Sequence, residues 1–244
     1  MSNNRVVWLS ASDPPEAFPP VEAALSEPNG LLAAGGDLST ERLLCAYRRG
    51  IFPWYDDGQP LLWWSPDPRC VFRQGDFYLS RRLRRYLRRS TAEVRFNTSF
   101  NEVIQACAAP RAAELGTWIT AEMIDAYEQL HHDGWAHSIE IWQDQALVGG
   151  LYGLAIGRAF FGESMFSADA NASKMALLAL SRMMDADEFG ILDCQLVSRH
   201  LVDLGASIIP RHEFVIILAG LCKPAARFEN WPTDPISVHY LLPG

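Results

Sequence analysis

Two carboxylates sit where strands rarely carry them. Glu163 lies in the middle of an apolar run, Phe160 to Phe166, and Asp193 follows a second, Ile191-Leu192. Strand positions favour β-branched and aromatic side chains over acids. A carboxylate there can hold a cation, orient an amine or accept its proton. The blander readings are a strand-end cap for Asp193 and a salt bridge to an arginine for Glu163. Between the acids run a polar turn, Ser167 to Ser173, and a helix from about Ala172 to Glu188, with Met175, Leu178, Ala179 and Met183 at helical spacing. Asp169 or Asn171 is placed to cap that helix and Gly190 to stop it. Strand, helix and parallel strand make a βαβ unit, and sites in such sheets gather at strand ends.

A different chemistry is written between Phe77 and Ser90. Arg81, Arg82, Arg84, Arg85, Arg88 and Arg89 fall together with no acid among them. Leu79, Leu83, Tyr86 and Leu87 recur at the spacing of an amphipathic helix. A solvated face normally mixes signs, and like charges at i,i+4 cost roughly 0.2–0.5 kcal/mol a pair. On a chain of net charge −8, an unmixed basic ridge points to a docking site for a polyanion. Trp54 lies between Pro53 and a polar Tyr-Asp-Asp-Gly turn, where an aromatic can stack on a base. Trp63 and Trp64 read equally as exposed aromatics or as an apolar cluster sealing two domains. Trp118 can be a staple packing on the helix that Thr120 caps, whose inner face carries Met123, Tyr127 and Leu130.

The elements that must position these groups follow from the rest of the chain. Its 244 residues are 49% apolar, enough for a large core. The five cysteines form no CxxC pair, which suggests a reducing compartment, cytoplasmic by default, and no structural metal. There is no signal-peptide core and no run long enough to span a bilayer. An irregular arm occupies residues 1 to 36. Ser39 caps a helix, Thr40 to Arg49, that Gly50 ends. Pro66-Asp67-Pro68 stiffens a linker, so the division expected is a small N-terminal domain, 1–67, and a catalytic domain, 68–244. Then come a helix from Phe100 to Ala108, the Thr120 helix, a strand from Ser138 to Trp142, and a strand from Ala146 to Gly157 in which Gly149-Gly150 predicts a bulge or close backbone approach. Two short helices are expected in 198–221 and an irregular tail from Cys222. The order is that of an α+β fold with a GNAT-like acyltransferase core. Such cores hold the pyrophosphate of acetyl-coenzyme A on a Gly-rich loop before the long helix. Here that loop has no glycine and contains Asp169. The fold points to acyl transfer and the loop argues against coenzyme A. The ridge and the tryptophans point to a nucleic-acid acyl donor, and an aminoacyl-tRNA satisfies both.

The strings Leu31-Leu32-Ala33-Ala34-Gly35-Gly36-Asp37-Leu38, Tyr47-Arg48-Arg49-Gly50-Ile51-Phe52-Pro53-Trp54 and Trp63-Trp64-Ser65-Pro66-Asp67-Pro68-Arg69 resemble the bacterial leucyl/phenylalanyl-tRNA–protein transferase family. So do Gly116 to Thr120, Gly162 to Ser167 and Asp193-Cys194-Gln195, in order over nearly the whole chain. The resemblance implies transfer of Leu, Phe or, less well, Met from its tRNA to the N-terminal Arg or Lys of a protein, marking it for N-degron degradation. It implies that Trp54 and Trp118 flank the aminoacyl-adenosine and that Glu163, Asp193 and Gln195 form the reaction centre. Met165 matches the apolar side-chain pocket, with Leu151, Phe160, Leu177, Met184 and Leu192 around it. Ser198 stands where many relatives carry Asn, and no role is assigned to it. No cofactor is needed, no membrane is involved, and the chain is expected to act as a monomer.

The reaction asks little. The donor ester is activated, and an α-amine of pKa about 7.7–8.0 is roughly a tenth to a fifth neutral near pH 7. One proton must leave and the oxyanion must be steadied. Asp193 could be the base, directly or through Gln195. Alternatively it orients Gln195 and the amine while a tRNA hydroxyl relays the proton. Rival readings are a coenzyme A-dependent N-acetyltransferase, a peptidoglycan aminoacyltransferase (whose chains are longer, with two such cores) and a non-catalytic tRNA-binding protein.

Overall fold

A computed structural model describes residues 5–112, 119–186, 188–223 and 226–243. The chain opens with β1 (Val7–Leu9), which pairs in parallel with β2 (Leu31–Gly35). Helix α1 (Thr40–Arg48) follows, then β3 (Phe52–Pro53) and β4 (Leu62–Trp64), giving a sheet of order β1-β2-β4-β3. The end of α1 is built by Gly50, at φ +73°. Its N–H reaches Tyr47 O and the next N–H, of Ile51, reaches Ala46 O, each at 2.9 Å. This left-handed close needs a residue without Cβ strain, and it fixes Tyr47 in the last turn. Ser39 makes no side-chain cap. Trp63 is fully buried with its indole N–H on Gly35 O at 2.9 Å, so for Trp63 the sealing cluster is the correct reading. Trp64 is half-buried and donates to Trp54 O.

The second sheet starts immediately after Pro68 with β5 (Arg69–Phe72). The following elements are α2 (Arg81–Leu87), β6 (Glu93–Phe96), α3 (Phe100–Ala112), α4 (Ala121–His132), β7 (Ala136–Gln143), β8 (Ala146–Ile156), β9 (Ala159–Ser167) and α5 (Ala172–Asp185). They continue with β10 (Ile191–Asp193), α6 (Arg199–Asp203), β11 (Ser207–Ile209), α7 (Arg211–Leu221) and β12 (Ile236–Ser237). The sheet order is β11-β5-β10-β9-β8-β7-β6-β12. Only the β9–β10 pair is parallel among the described strands of this sheet, so the βαβ unit is present inside an otherwise antiparallel sheet, and the class is α+β.

Side chains alternate between the two faces of this sheet, as the strand period requires. Tyr152, Leu154 and Phe161 join one apolar cluster with α1, α3, α4 and the first sheet. Leu151, Ala155 and Phe160 join another with α2 and α5. The first sheet therefore shares its core with one face of the second. Gly149 permits the close approach of α5, because a Cβ there would stand 2.4 Å from Ala172 Cβ.

Several expected boundaries move. Helix α2 is shorter than the 77–90 run, since Tyr78 is held by a backbone bond to Leu204 instead. Helix α5 ends at Asp185, well before Gly190. Its first residue follows Asn171, at φ 68°, and neither Asn171 nor Asp169 caps with its side chain; Ser167 Oγ accepts from Ser173 N instead. Between the two expected C-terminal helices lies an extra strand, β11.

Candidate active site

Glu163 owes its aim to a bulge. Along the β8–β9 pair Tyr152 faces Ser164 and Gly153 faces Gly162, which leaves Glu163 as the extra residue. A bulge re-aims side chains and switches their parity. Phe161 before it points to the α1/α4 face, while Met165 after it packs on the α5 face. Gly153 makes room, because a Cβ there would stand 2.1 Å from Phe161 O. Glu163 meets two phenols. Tyr47, from the last turn of α1, donates to its Oε1 at 2.8 Å, and Tyr127, on the inner face of α4, donates to its Oε2 at 2.9 Å. The two phenol oxygens are also in hydrogen-bond contact with each other. Thr120 caps α4 as its sequence position suggests, accepting from Met123 N. Burial pushes the Glu163 carboxyl up to about 7, against the downward pull of the hydrogen bonds from Tyr47, Tyr127 and Gln195. Burial and the adjacent carboxylate hold both phenols well above the usual tyrosine range.

A second irregularity lies next door. Cys194 N donates to Cys70 O at 2.9 Å, and Cys70 N returns to Gln195 O at 3.3 Å, so two residues face one. Gln195 takes φ 56° and turns its backbone N–H to Asp193 Oδ1 at 2.9 Å. Its side-chain Nε2 donates to Glu163 Oε1 at 2.9 Å. Asp193 itself is sealed. Arg69 grips it with Nε on Oδ1 at 2.9 Å and Nη2 on Oδ2 at 2.7 Å, and both side chains are 0% exposed. The rings of Phe52 and Phe214 cover the guanidinium at 4.9 and 4.6 Å. The arginine that the blander reading of Glu163 called for belongs to Asp193 instead.

Two cavities meet at this point, sharing Glu163, Cys194 and Gln195. One, of about 150 Å³, is mainly apolar and is lined by Leu151, Met165, Leu177, Leu180, Leu192 and Leu201. An apolar cavity of that size takes a benzene ring. The other, of about 200 Å³, lies against Phe52, Pro53, Trp54 and Leu196. Trp54 is 37% exposed at its mouth, backed by Trp64 at 5.5 Å between ring centres. Four of the six expected apolar pocket residues, Leu151, Met165, Leu177 and Leu192, thus line the first cavity. Phe160 and Met184 do not. Both are buried deeper in the α5-side core, Phe160 against Phe189 and Trp231. Phe160 precedes the bulge and Met165 follows it, so plain strand alternation cannot relate them. Trp118 lies outside the described residues. Ser198 caps α6, accepting from Leu201 N at 3.2 Å.

All six arginines of the basic run are exposed, while Leu83 and Leu87 are buried under them. None of the six makes an ion pair among the described residues. Arg82, Arg85 and Arg89 line a surface groove of about 520 Å³ with Tyr86, Gln143 and Asn171. The loop before α5 spends backbone N–H groups internally: Ala168 and Asp169 donate to Val148 O, and Ala172 to Asp169 O.

Sequence reading missed Tyr47, Tyr127, Arg69 and Cys194 as site residues. Tyr127 was visible only as an apolar helix position and Arg69 only as the end of a motif. The signal for two of them was a polar group in a buried pattern: Tyr127 stands at helical spacing with the buried Met123 and Leu130, and Arg69 opens a strand that is buried throughout.

Residues 71–219 match the leucyl/phenylalanyl-tRNA protein transferase family, and residues 36–67 match the N-terminal domain of that family. Similar proteins carry the same name. One from Azoarcus sp. (strain BH72) is 58% identical over 94% of this chain and 92% of its own length. One from Pseudomonas aeruginosa (strain LESB58) is 57% identical over 86% and 92%. One from Nitrosomonas eutropha (strain DSM 101675 / C91 / Nm57) is 51% identical over 91% and 94%. Among solved structures, the C-terminal domain of a putative lysylphosphatidylglycerol synthetase from Agrobacterium fabrum aligns over 84% of this chain and 65% of that one, with a TM-score of 0.36 and 12% identity. That likeness is too slight to carry a conclusion.

Proposed function

The chain belongs to the leucyl/phenylalanyl-tRNA–protein transferase family, and from that premise we propose that it moves leucine, phenylalanine or, less well, methionine from its tRNA onto the N-terminal Arg or Lys of acceptor proteins. The observation that carries this is the pair of cavities joined at Glu163, Cys194 and Gln195. The apolar one takes the donor amino acid's side chain, the size of a phenyl ring. Trp54 stacks on the aminoacyl-adenosine with Trp118, and the exposed arginines of α2 track the tRNA backbone. The ester and the acceptor amine meet beside Glu163 and Gln195, with Asp193 behind them. Holding amine and ester in attack geometry supplies much of the rate.

The antiparallel run β7–β8–β9 followed by α5 and the parallel β10 supports the GNAT-like reading of the core. The start of β5 directly after Pro68 supports the division at residue 67. No helix among the described residues is long and apolar enough to cross a membrane. The reading places the reaction in the cytoplasm, by a monomer, with the products marked for N-degron degradation. The rival use of coenzyme A is disfavoured by the loop before α5, in which the amides of Ala168, Asp169, Ala172 and Ser173 are already bonded.

The test is incubation with Phe-tRNA charged with phenylalanine and a peptide beginning with Arg, read by mass. The expected product is the peptide extended by one phenylalanine. Turnover of acetyl-coenzyme A with no transfer from tRNA would overturn the assignment. Binding of charged and uncharged tRNA alike, with the amino acid left in place, would mark a binding protein.

A further inference from the structure

Resting on the transfer reaction just proposed, we propose that Glu163 is the group that takes the proton from the attacking amine, and that Arg69 with Asp193 is a positioning device that never handles it. Access separates the two carboxylates. Glu163 lines both cavities, while Asp193 lines neither and is 0% exposed. The charge of the partners separates them too, since each carboxylate accepts three hydrogen bonds but only Asp193 takes them from a cation. Asp193 Oδ1 already accepts from Arg69 Nε and from Gln195 N, and Oδ2 from Arg69 Nη2. A proton on Asp193 would leave a guanidinium uncompensated in the interior.

Proton counting favours Glu163. Tyr47 and Tyr127 own one O–H each. With Glu163 ionised, both point at it, and the contact between the two phenol oxygens holds no proton. With Glu163 protonated, its O–H donates to one phenol, that phenol donates to the other, and the second donates to the remaining carboxylate oxygen. Three hydroxyls then fill three contacts. The frame therefore offers a hydrogen-bonded place for the proton that Glu163 takes up, and only the phenol–phenol contact has to relax when that proton leaves.

The step balances without another reactant. The amine nitrogen attacks the ester carbonyl carbon, the C–N bond forms, and the bond from that carbon to the ribose oxygen breaks. One proton leaves the nitrogen, rests on Glu163 and ends on the ribose oxygen. Arg69 contributes by fixing Asp193, which holds the Gln195 backbone in its bulge and so aims the Gln195 amide at Glu163.

The groups facing Glu163 are Tyr47 from α1, Tyr127 from α4 with Tyr152 of β8 beside the phenols, and Asp193, Cys194 and Gln195 from the end of β10, with Arg69 of β5 behind. Burial places the Glu163 ionisation at about 7. The carboxylate must be ionised to accept a proton, so the rate rises with pH through that value.

The experiment is single-turnover transfer from charged Phe-tRNA to a saturating Arg-initiated peptide across pH. The wild-type rate is expected to rise through a step near pH 7. Glu163→Gln should lose that step and fall about 10²- to 10⁴-fold at high pH, with the peptide KM changed only a few-fold. Glu163→Asp should recover part of the rate with a displaced step. Asp193→Asn should be slower but keep the step, and where it does not fold, Arg69→Lys takes its place with the same expectation. The acceptor amine, at about 7.7–8.0, leaves a rise of its own in every variant, so the Glu163 step is read from the ratio of wild-type to variant rate across pH. Survival of the step in Glu163→Gln, or its loss in Asp193→Asn or Arg69→Lys alone, overturns the proposal. A wild-type protein that transfers nothing at any pH overturns the transfer reading itself, and this one with it.

Discussion

Glu163 and Asp193 are acids on adjacent parallel strands, each next to a bulge, and both bond to the same Gln195. Their surroundings differ in one respect. Asp193 faces a guanidinium inside the protein, with phenyl rings over it. Glu163 faces neutral donors, two phenols and an amide, at the meeting of two cavities. A buried carboxylate given a fixed cation becomes a structural ion pair. One given neutral donors keeps its stability dependent on proton occupancy. Sequence position alone presents these acids as equivalents; the partner decides which of them can do chemistry.

The largest effect should come from breaking the sealed side. Arg69→Ala leaves Asp193 buried and uncompensated, a change that typically costs 3–5 kcal/mol. Urea unfolding should show a loss of about that size, and a change under about 1 kcal/mol would mean that water reaches the pair. The open side answers to pH instead. The folded-state ionisation of Glu163 is raised to about 7 from 4.5. The folded protein therefore holds this proton more tightly than the unfolded chain. The stability it contributes is complete below pH about 4.5 and is lost as pH rises through about 7, roughly 3 kcal/mol at 1.36 kcal/mol per unit. Glu163→Gln should flatten that slope between pH about 4.5 and about 7. An unchanged slope in the variant would show that another group carries it.

How much of this contrast could be read from the sequence follows from how local each part is. The β9–α5–β10 unit was legible because its apolar pattern, polar turn and long helix are contiguous. Thr120 as a cap and Met123, Tyr127 and Leu130 as an inner face were legible for the same reason. The site's partners were not. Arg69 reaches Asp193 only because β5 lies antiparallel to β10, and Tyr47 reaches Tyr127 only because α1 packs on α4. The bulge at Glu163 is set by where β8 and β9 slip in register, and glycines in β8 signalled a bulge without locating this one. Phe160 and Met165, grouped by the resemblance, both pack in the α5-side core, and their depth in it, which sequence does not show, leaves only Met165 on the cavity. Strands as short as β11 carry too few residues for a period to show.

A smaller effect tests the cavity on the open side. Trp54→Ala should lose about 1–3 kcal/mol of charged-tRNA binding, the worth of one stacked base. Thermal stability should change little, since Trp54 is part-exposed and it is Trp64 that leans on its backbone. Unfolding on this change would place Trp54 in the core after all. Retained donor affinity in a folded variant would leave the second cavity to the acceptor alone.

The smallest expected energies lie at cations that have no partner. Arg69 is sealed against a carboxylate, whereas the arginines of α2 make no ion pair among the described residues and stand in water. Within the helix, Arg81/Arg85 and Arg84/Arg88 are like-charge pairs at i,i+4, each unfavourable by roughly 0.2–0.5 kcal/mol. Changing Arg84 and Arg85 to Ala should therefore leave the fold unharmed or slightly firmer, the reverse of Arg69→Ala. Leu83 and Leu87 still anchor the helix from below. The loss should appear only with tRNA present. Each phosphate contact removed should reduce the magnitude of the slope of log affinity against log salt by up to about 0.9 on a duplex, and the weakening should be similar for tRNAs of different sequence. The pH step in transfer should not move, because nothing on α2 touches Glu163. Measuring affinity at several salt concentrations for wild type and the double variant separates the outcomes. A reduced slope with an unmoved pH step places tRNA docking on the ridge and the chemistry in the centre. A slope that does not change makes the ridge a solvated face, and the polyanion would then have to be held by the groove's remaining polar side chains or elsewhere.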